Sequence, residues 1–254
     1  MIDIHSHLLP GIDDGSRSAE QSVEVLQLFV EQGVTGVVLT PHVTASEIEQ
    51  DPEGPVDTRA VAFDQLRATG LEAPRLYLGF EIMLDQPMTP RLMGDRRYSL
   101  AGSRYYLVEF PYSVVPHFAG KVLERIAQSG AVPVVAHPER YTGCAPEAVA
   151  RWRDAGAKMQ VDATELTRPT VRGRRARQLL AAGLADLIAA DNHGNRRVIG
   201  TGVKYLAERG AAHQAKLLAE VNPSALVDNG NLEPVPPVEF REGVLDRWRR
   251  FVGG

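Results

Sequence analysis

Cysteine is nearly absent: Cys144 stands alone in 254 residues. One thiol excludes an internal disulfide, so no covalent framework props up the fold. Long hydrophobic runs are also missing, and no segment approaches the roughly 18 apolar residues that a spanning helix needs. The start, Met-Ile-Asp-Ile-His-Ser-His, has neither basic residues nor an apolar stretch after it, and is read as no secretory signal. No basic excess exists either. The balance is 28 basic against 32 acidic side chains, net -4, where a nucleic-acid binder carries a clear positive surplus. No Gly-x-Gly-x-x-Gly follows the first apolar run, which argues against a dinucleotide-binding sheet, and no sequence repeat supports a solenoid. These absences together point to a cytoplasmic protein that neither binds nucleic acid nor inserts into a membrane.

What is present is a globular composition, 44% hydrophobic and 24% charged, enough to bury a large core. Short β-branched runs alternate with longer amphipathic ones, the pattern of βα units around a parallel sheet. Strands are expected at Ile2–His5, Gly36–Thr40, Leu76–Phe80, Tyr105–Glu109, Pro133–His137, Lys158–Asp162 and Leu187–Asp191. Helices are expected between them, at Ser18–Gln32, Asp57–Thr69, about His117–Ser129, Pro146–Ala155 and Val171–Ala182, with helical segments following to about Val221. Ser18 and Gln21 suggest a capping box, and Gly33 a stop. The strand ends recur every 25 to 41 residues, the length of a βα unit. Seven such units fit a closed or nearly closed barrel better than an open sheet. The barrel is expected over residues 1–230. Residues 231–254 are expected to form a linker carrying three prolines at Asn231–Val238, then a short Arg-rich helix over Gly243–Val252 that covers the barrel or joins subunits.

The strand ends carry the chemistry. The first exits in His5-Ser-His7, the second in Pro41-His42, the third in Glu81, the fourth in Glu109, the fifth in His137 and the seventh in Asp191-Asn192-His193. Barrels place their active sites at the carboxyl ends of the strands. Residues i and i+2 of a strand share a face, so His5 and His7 can point the same way. A lone histidine at a strand end is usually incidental, but here five of seven histidines stand at such exits, in register with carboxylates that are rarely buried unpaired. His117 and His213 lie in expected helices and receive no role. With Asp14 from the loop after His7, nine candidates emerge: His5, His7, Asp14, His42, Glu81, Glu109, His137, Asp191 and His193. Imidazole and carboxylate without thiolate suit manganese, iron or zinc in a catalytic rather than a structural site. Nine ligands are too many for one ion and suit two or three.

Charge then suggests the substrate. Setting the four candidate carboxylates aside leaves 28 acids against 28 bases elsewhere. Three divalent ions would leave the site cationic and two would leave it neutral, so an anion is favoured, a phosphate ester best of all. Arg140 follows His137 by three residues, and Arg196 and Arg197 follow His193. A guanidinium fork matches phosphate oxygens. The choice between Arg196 and Arg197 stays open.

The stretches Met1-Ile-Asp-Ile-His-Ser-His7, Gly11-Ile-Asp-Asp-Gly15, Thr40-Pro-His42, Gly79-Phe-Glu81, Leu107-Val-Glu-Phe110, Ala136-His-Pro-Glu-Arg-Tyr141 and Ala190-Asp-Asn-His193 carry a resemblance. The chain resembles the PHP (polymerase and histidinol phosphatase) superfamily. Within it, the chain is similar to the manganese-dependent protein-tyrosine phosphatases found with bacterial capsule and exopolysaccharide genes. The resemblance implies an α/β fold, a distorted seven-stranded (β/α)7 barrel, and three divalent ions, manganese before iron or zinc. It implies one ion on His5, His7, Glu81 and Asp191, a second on Glu81, Glu109 and His137, and a third on Asp14, His42 and His193. Asp13 is the weaker choice of the aspartate pair. Arg140 falls where such enzymes hold phosphate. Residue 162 is Asp where close relatives often have Asn.

The expected reaction is attack of a metal-activated hydroxide on the phosphorus of a phosphomonoester, with phosphotyrosine on a bacterial tyrosine kinase tail as the implied substrate. Thiol-based catalysis is excluded: the position six after Cys144 is Ala150 rather than Arg, and no glycine run cradles a phosphate. A small-molecule phosphatase such as a histidinol phosphatase would use the same ligands. An amidohydrolase would show a bridging lysine where Glu81 and Glu109 stand. A metal-holding regulatory module without turnover is the reading from another class. The four arginines of Val171–Gln178, at 172, 174, 175 and 177, are read first as a solvated face and second as a dock for an acidic tail.

Overall fold

The computed structural model describes residues 1–240. The Arg-rich helix expected over Gly243–Val252 lies outside the described residues. Among the described residues, nine strand segments form two sheets: β1 (Ile2–Ser6), β2 (Gly36–Leu39), β3 (His42–Thr44), β4 (Arg75–Leu78), β5 (Glu81–Met83), β6 (Tyr105–Glu109), β7 (Val132–Ala136), β8 (Lys158–Asp162) and β9 (Leu187–Ala189). All pairings are parallel, in the orders β1-β2-β4 and β3-β5-β6-β7-β8-β9. A parallel bridge between Ser6 and Asn192, with the His7 N–H donating to Asn192 O at 2.8 Å, brings the first strand to the end of the last. The coarse expectation of an α/β barrel is met.

The expected count of seven strands needs correction, because a further short strand follows each of two of them. The second strand breaks at Thr40-Pro41, and the third breaks at Gly79-Phe80. Proline has no N–H to give to a ladder. Past the breaks the chain resumes as β3 and β5, which pair with each other and with β6 rather than with β1. This sets His42 directly opposite Glu81, and Glu81 opposite Leu107. The break at Gly79 is held from outside: buried Arg59 donates to Gly79 O at 3.1 Å and Arg97 O at 2.7 Å.

The sequence periodicity explains the layers. Tyr105 and Leu107 of β6, Val134 and Ala136 of β7, and Leu187 and Ala189 of β9 pack together with Ile2 and Ile4, forming one apolar cluster. The alternate residues, including Val37, Tyr106, Val108, Val135 and Ile188, pack in the larger cluster with helix residues such as Leu26, Phe29 and Leu123. A strand whose faces are both covered reads as a continuous apolar run. The helices Ala19–Glu31, Gly54–Arg67, Pro116–Gln128, Pro146–Asp154 and Val171–Ala181 follow the expected amphipathic segments within a few residues.

The capping box at Ser18 is only half present. The Ser18 side chain accepts from Gln21 N at 3.3 Å, but the Gln21 side chain does not return the bond. Its Oε1 accepts from Arg17 N, and its Nε2 donates to Gly194 O at 2.7 Å, which ties the helix to the loop after His193. Residues 232–240 have no regular secondary structure and lie along the helical layer. Val235 and Val238 are buried there, and Val238 N donates to Leu180 O at 2.9 Å. Among the described residues, no helix is long and apolar enough to cross a membrane.

Candidate metal centre

Residues far apart in sequence converge at the carboxyl ends of the strands. Strand β1 delivers two of them through an irregularity. Ile2 and Ile4 join the inner apolar cluster, so strict alternation would turn His5 away from it. The register with β2 shifts between Asp3 and Ser6. Such bulges re-aim side chains next to functional sites. As a result His5 Nε2 and His7 Nε2 lie 3.1 Å apart, both fully buried.

Outside partners fix the rings. His5 Nδ1 donates to Gln160 Oε1 at 2.9 Å, and His7 Nδ1 donates to Asp13 Oδ2 at 2.8 Å. With each Nδ1 committed as donor, the Nε2 lone pairs are left to face inward, the arrangement typical of metal-ligating histidines. They face Glu81 Oε2, at 3.1 Å from His5 and 3.3 Å from His7, and Asp191 Oδ1, at 3.3 and 3.4 Å.

Three groups of ligand atoms result, each with its members within 4.8 Å of one another: His5, His7, Glu81 and Asp191; His42, Glu81 and Glu109; and His7, Asp14, His42 and His193. His137 reaches Glu81 Oε1 at 2.9 Å and Glu109 Oε2 at 3.9 Å. His42 Nδ1 lies 3.1 Å from Glu81 Oε2, and Asp14 Oδ1 lies 3.4 Å from both His42 Nε2 and His193 Nε2. All nine sequence candidates therefore meet in one place. Asp13 faces His7 Nδ1 from outside the groups, whereas Asp14, 72% exposed at the rim, turns Oδ1 toward His42 and His193.

The donor set fits divalent cations. Glu81 Oε2 is buried and, although three imidazole nitrogens surround it, makes no hydrogen bond within normal geometry. Burial would raise the Glu81 carboxyl, but His5, His137 and His7 hold it well below the usual carboxylate range. Burial and then the Glu81 charge push its neighbour Glu109 up to about 8. Protons on His5, which despite its burial is raised to about 9 by the Glu81 and Asp191 charges, and on Glu109 balance the carboxylates here, and a divalent cation would take their place.

Two of the candidate residues sit on unusual backbone. His137 has φ 33° and Asp191 φ 48°, a left-handed region that non-glycine residues seldom occupy. Each costs on the order of 1 kcal/mol or more, and such strain concentrates at functional sites. Both turns are braced. Tyr141 Oη donates to Ala136 O at 3.1 Å and accepts from Phe110 N at 3.1 Å, which joins the ends of β6 and β7. Asp3 Oδ2 accepts from Ala190 N at 3.0 Å.

The arginines also divide. Arg140 contacts both Asp191 and Asp162. Arg197 reaches Asp162 as well and donates from Nε to Thr164 Oγ1 at 3.1 Å. Arg196 instead lines a surface groove beside Gln21 and Glu24. Of the choice left open by the sequence, Arg197 is the one at the site. Sequence reasoning missed the orienting roles of Gln160, Asp13 and Thr164. Gln160 had a signal, because a polar residue two before Asp162 in an apolar strand shares its inward face.

The profile of the family described as "Capsular polysaccharide synthesis, CpsB/CapC" matches residues 1–228. The chain belongs to the CpsB/CapC family. It is 28% identical to the tyrosine-protein phosphatase YwqE of Bacillus subtilis, over 95% of this chain and 98% of that protein. It is also 28% identical to the tyrosine-protein phosphatase CpsB of Streptococcus pneumoniae, over 89% of this chain and 98% of that protein. A crystal structure from work on these two, called metal-dependent tyrosine phosphatases, superposes with a TM-score of 0.78 at 28% identity, covering 94% of this chain and 100% of that one. A D-hydantoinase from a Bacillus species superposes with a TM-score of 0.51 at 11% identity, over 88% of this chain and 70% of that one, a likeness of fold alone.

Proposed function

We propose that this CpsB/CapC family member is a metal-dependent phosphatase that hydrolyses phosphotyrosine on protein. The observation that carries the reading is the sharing of Glu81 between two of three convergent ligand groups, with Arg140 and Arg197 beside them. Family membership and the names of the relatives supply the tyrosyl specificity. Their capsular setting supports the phosphorylated tail of a bacterial tyrosine kinase as substrate. The lone Cys144, buried and unbonded, fits a reducing cytoplasm.

In this reading His5, His7, Glu81 and Asp191 hold one cation. Glu81, Glu109 and His137 hold a second, with His42 close enough to join them, and Asp14, His42 and His193 hold the third. Three cations, manganese before iron or zinc, match an oxygen- and nitrogen-only donor set. Bound there, they supply positive charge for the phosphoryl oxygens and make water acidic enough to act as a nucleophile near neutral pH. The chain's own groups do the rest. Gln160 and Asp13 keep the His5 and His7 rings turned inward. Arg140 and Arg197 offer N–H donors to the non-bridging oxygens, where charge concentrates. A phenol with pKa near 10 leaves without a strong general acid, so no further side chain is required to protonate it.

The test is hydrolysis of an aryl phosphate after chelation and re-addition of Mn²⁺, Fe²⁺ or Zn²⁺ separately. Restored turnover is expected with manganese. Absence of hydrolysis with every metal would overturn the reading. Faster hydrolysis of histidinol phosphate than of a phosphotyrosine peptide would move it to a small-molecule phosphatase.

A further inference from the structure

Two arginines of the site converge on one oxygen. Arg140, after β7, and Arg197, after β9, both place Nη2 against Asp162 Oδ2 at the end of β8. Asp162 is 1% exposed, and its other atoms are already committed. Its Oδ1 accepts from Thr164 N at 2.9 Å and from Thr164 Oγ1 at 2.8 Å, while its backbone N–H donates to Glu139 Oε1 at 2.9 Å. The carboxylate is thus clamped from behind, with a single oxygen presented forward. Thr164 repeats the arrangement by accepting from Arg197 Nε at 3.1 Å.

Two guanidinium groups so close repel each other unless an anion lies between them. A buried carboxylate meets that need and also fixes where the two forks point. The fixing uses only part of each fork. Among the described residues, Arg140 Nε and Nη1 and Arg197 Nη1 have no hydrogen-bond partner, and both side chains are partly open to solvent, at 15% and 24%. Arg140 is tied also to Asp191, a member of the buried ligand group, so the pair lies against the metal centre.

We infer that Asp162 is a positioning residue that gathers Arg140 and Arg197 into one paired anion seat beside the metal centre, made for the terminal oxygens of a phosphoryl group. The inference rests on the phosphatase reading and deepens it. It gives a role to the position where this chain carries a charged residue. Asparagine there keeps the size and the Thr164 bonds through its oxygen. It turns an N–H₂ toward two N–H₂ groups, donor against donor, and the pair loses its anchor.

The test is binding of inorganic phosphate to the manganese-loaded protein by calorimetry, for wild type, Asp162→Asn and Asp162→Ala. Metal content and melting temperature are recorded alongside. The inference expects the phosphate Kd to rise about tenfold or more, as for other small losses of alignment, with metal content unchanged. For an aryl phosphate, KM is expected to rise more than kcat falls. In an Arg140→Ala/Arg197→Ala background, Asp162→Ala should have no further effect, because its action runs through the arginines. An unchanged Kd overturns the inference. So does a lower one, which would make Asp162 a competitor of phosphate, and so does loss of metal in both variants or an equal effect without the arginines. Wild-type protein that binds phosphate through the pair but turns over no phosphoester would sink the phosphatase reading and leave the seat standing. An active enzyme indifferent to Asp162 would do the reverse.

Discussion

Asp13 Oδ2 accepts a hydrogen bond from His7 Nδ1 at 2.8 Å, and the same oxygen lies 3.2 Å from the His42 backbone N–H. One carboxylate outside the ligand groups therefore orients two of the strands that feed them. Partners of this kind tune the ligands they hold, and losing one costs roughly 10- to 100-fold in metal affinity. Asp13→Ala should weaken metal binding by about that factor while the fold persists, as read by metal titration and circular dichroism. Asp14→Ala removes an inward-facing group instead, and should lose a metal equivalent outright. Equal affinity in Asp13→Ala and wild type would reduce Asp13 to loop filling.

The loop that carries both aspartates is pinned by Gly15. A Cβ there would stand 2.0 Å from His7 O and 2.5 Å from His7 Cβ, and the His7 carbonyl also accepts from Ser16 N at 2.9 Å. Neither neighbour can give way without moving His7. Gly15→Ala should destabilise the protein by about 1–3 kcal/mol, the usual range for overpacking, and lower its metal content. Urea unfolding and elemental analysis check the two effects. A variant of wild-type stability with full metal content would show that the loop can relax.

Cys144 gives a prediction of no effect. Burial pushes its thiol up to about 12, and it is 3% exposed. The neutral thiol persists through the working pH range, and only the thiolate is a nucleophile. Cys144→Ala should keep kcat, and iodoacetamide at pH 7.5 should not inactivate the folded enzyme. Inactivation that tracks alkylation of Cys144 would contradict this.

The sequence exposed the candidate metal-binding residues because they fall at strand ends, where an apolar run stops and a polar residue must face something. His5, Glu109, His137 and Asp191 were legible on that ground alone. The resumption of the chain as new strands past Pro41 and Gly79 was not. Pro41 closes the expected second strand, but only pairing across the sheet shows that β3 and β5 follow. Asp13 and Asp14 are adjacent and identical, so their division into an orienting and an inward-facing residue needed coordinates. The helix Val171–Ala181 with its four arginines was ambiguous for a similar reason, since period and charge do not tell a solvated arginine from one bonded to backbone.

That helix now separates into two pairs. Arg175 Nη1 donates to Tyr141 O at 3.1 Å, and Arg177 Nη1 donates to Leu166 O at 2.8 Å and Arg168 O at 3.1 Å. These two hold loops in place. Arg172 and Arg174 are exposed, and Arg172 lies over the Tyr112 ring at 5.8 Å. Arg172→Ala/Arg174→Ala should leave the melting temperature and small aryl phosphate kinetics unchanged, and any acidic-tail docking would appear as a raised KM for a phosphoprotein alone. Arg175→Ala should lower the melting temperature and disturb both substrates, because Tyr141 braces the turn that carries His137. The opposite pattern would return docking to the inner pair.

Glu81 and His193 make different demands on the metal centre, and removing each separates shared from local ligation. Glu81 belongs to two ligand groups and touches His137 as well, whereas His193 belongs to one. A ligand that binds only the folded state stabilises it by RT ln(1 + [L]/Kd), about 2.7 kcal/mol at one hundred times Kd. Manganese added to chelated wild-type protein should therefore raise the melting temperature. In Glu81→Ala most of that rise should vanish, together with more than one metal equivalent. His193→Ala should lose one equivalent and keep most of the rise. Elemental analysis beside thermal melts distinguishes these outcomes. The same loss from both variants would mean that the three groups fill as a single cooperative unit rather than as sites joined through one carboxylate.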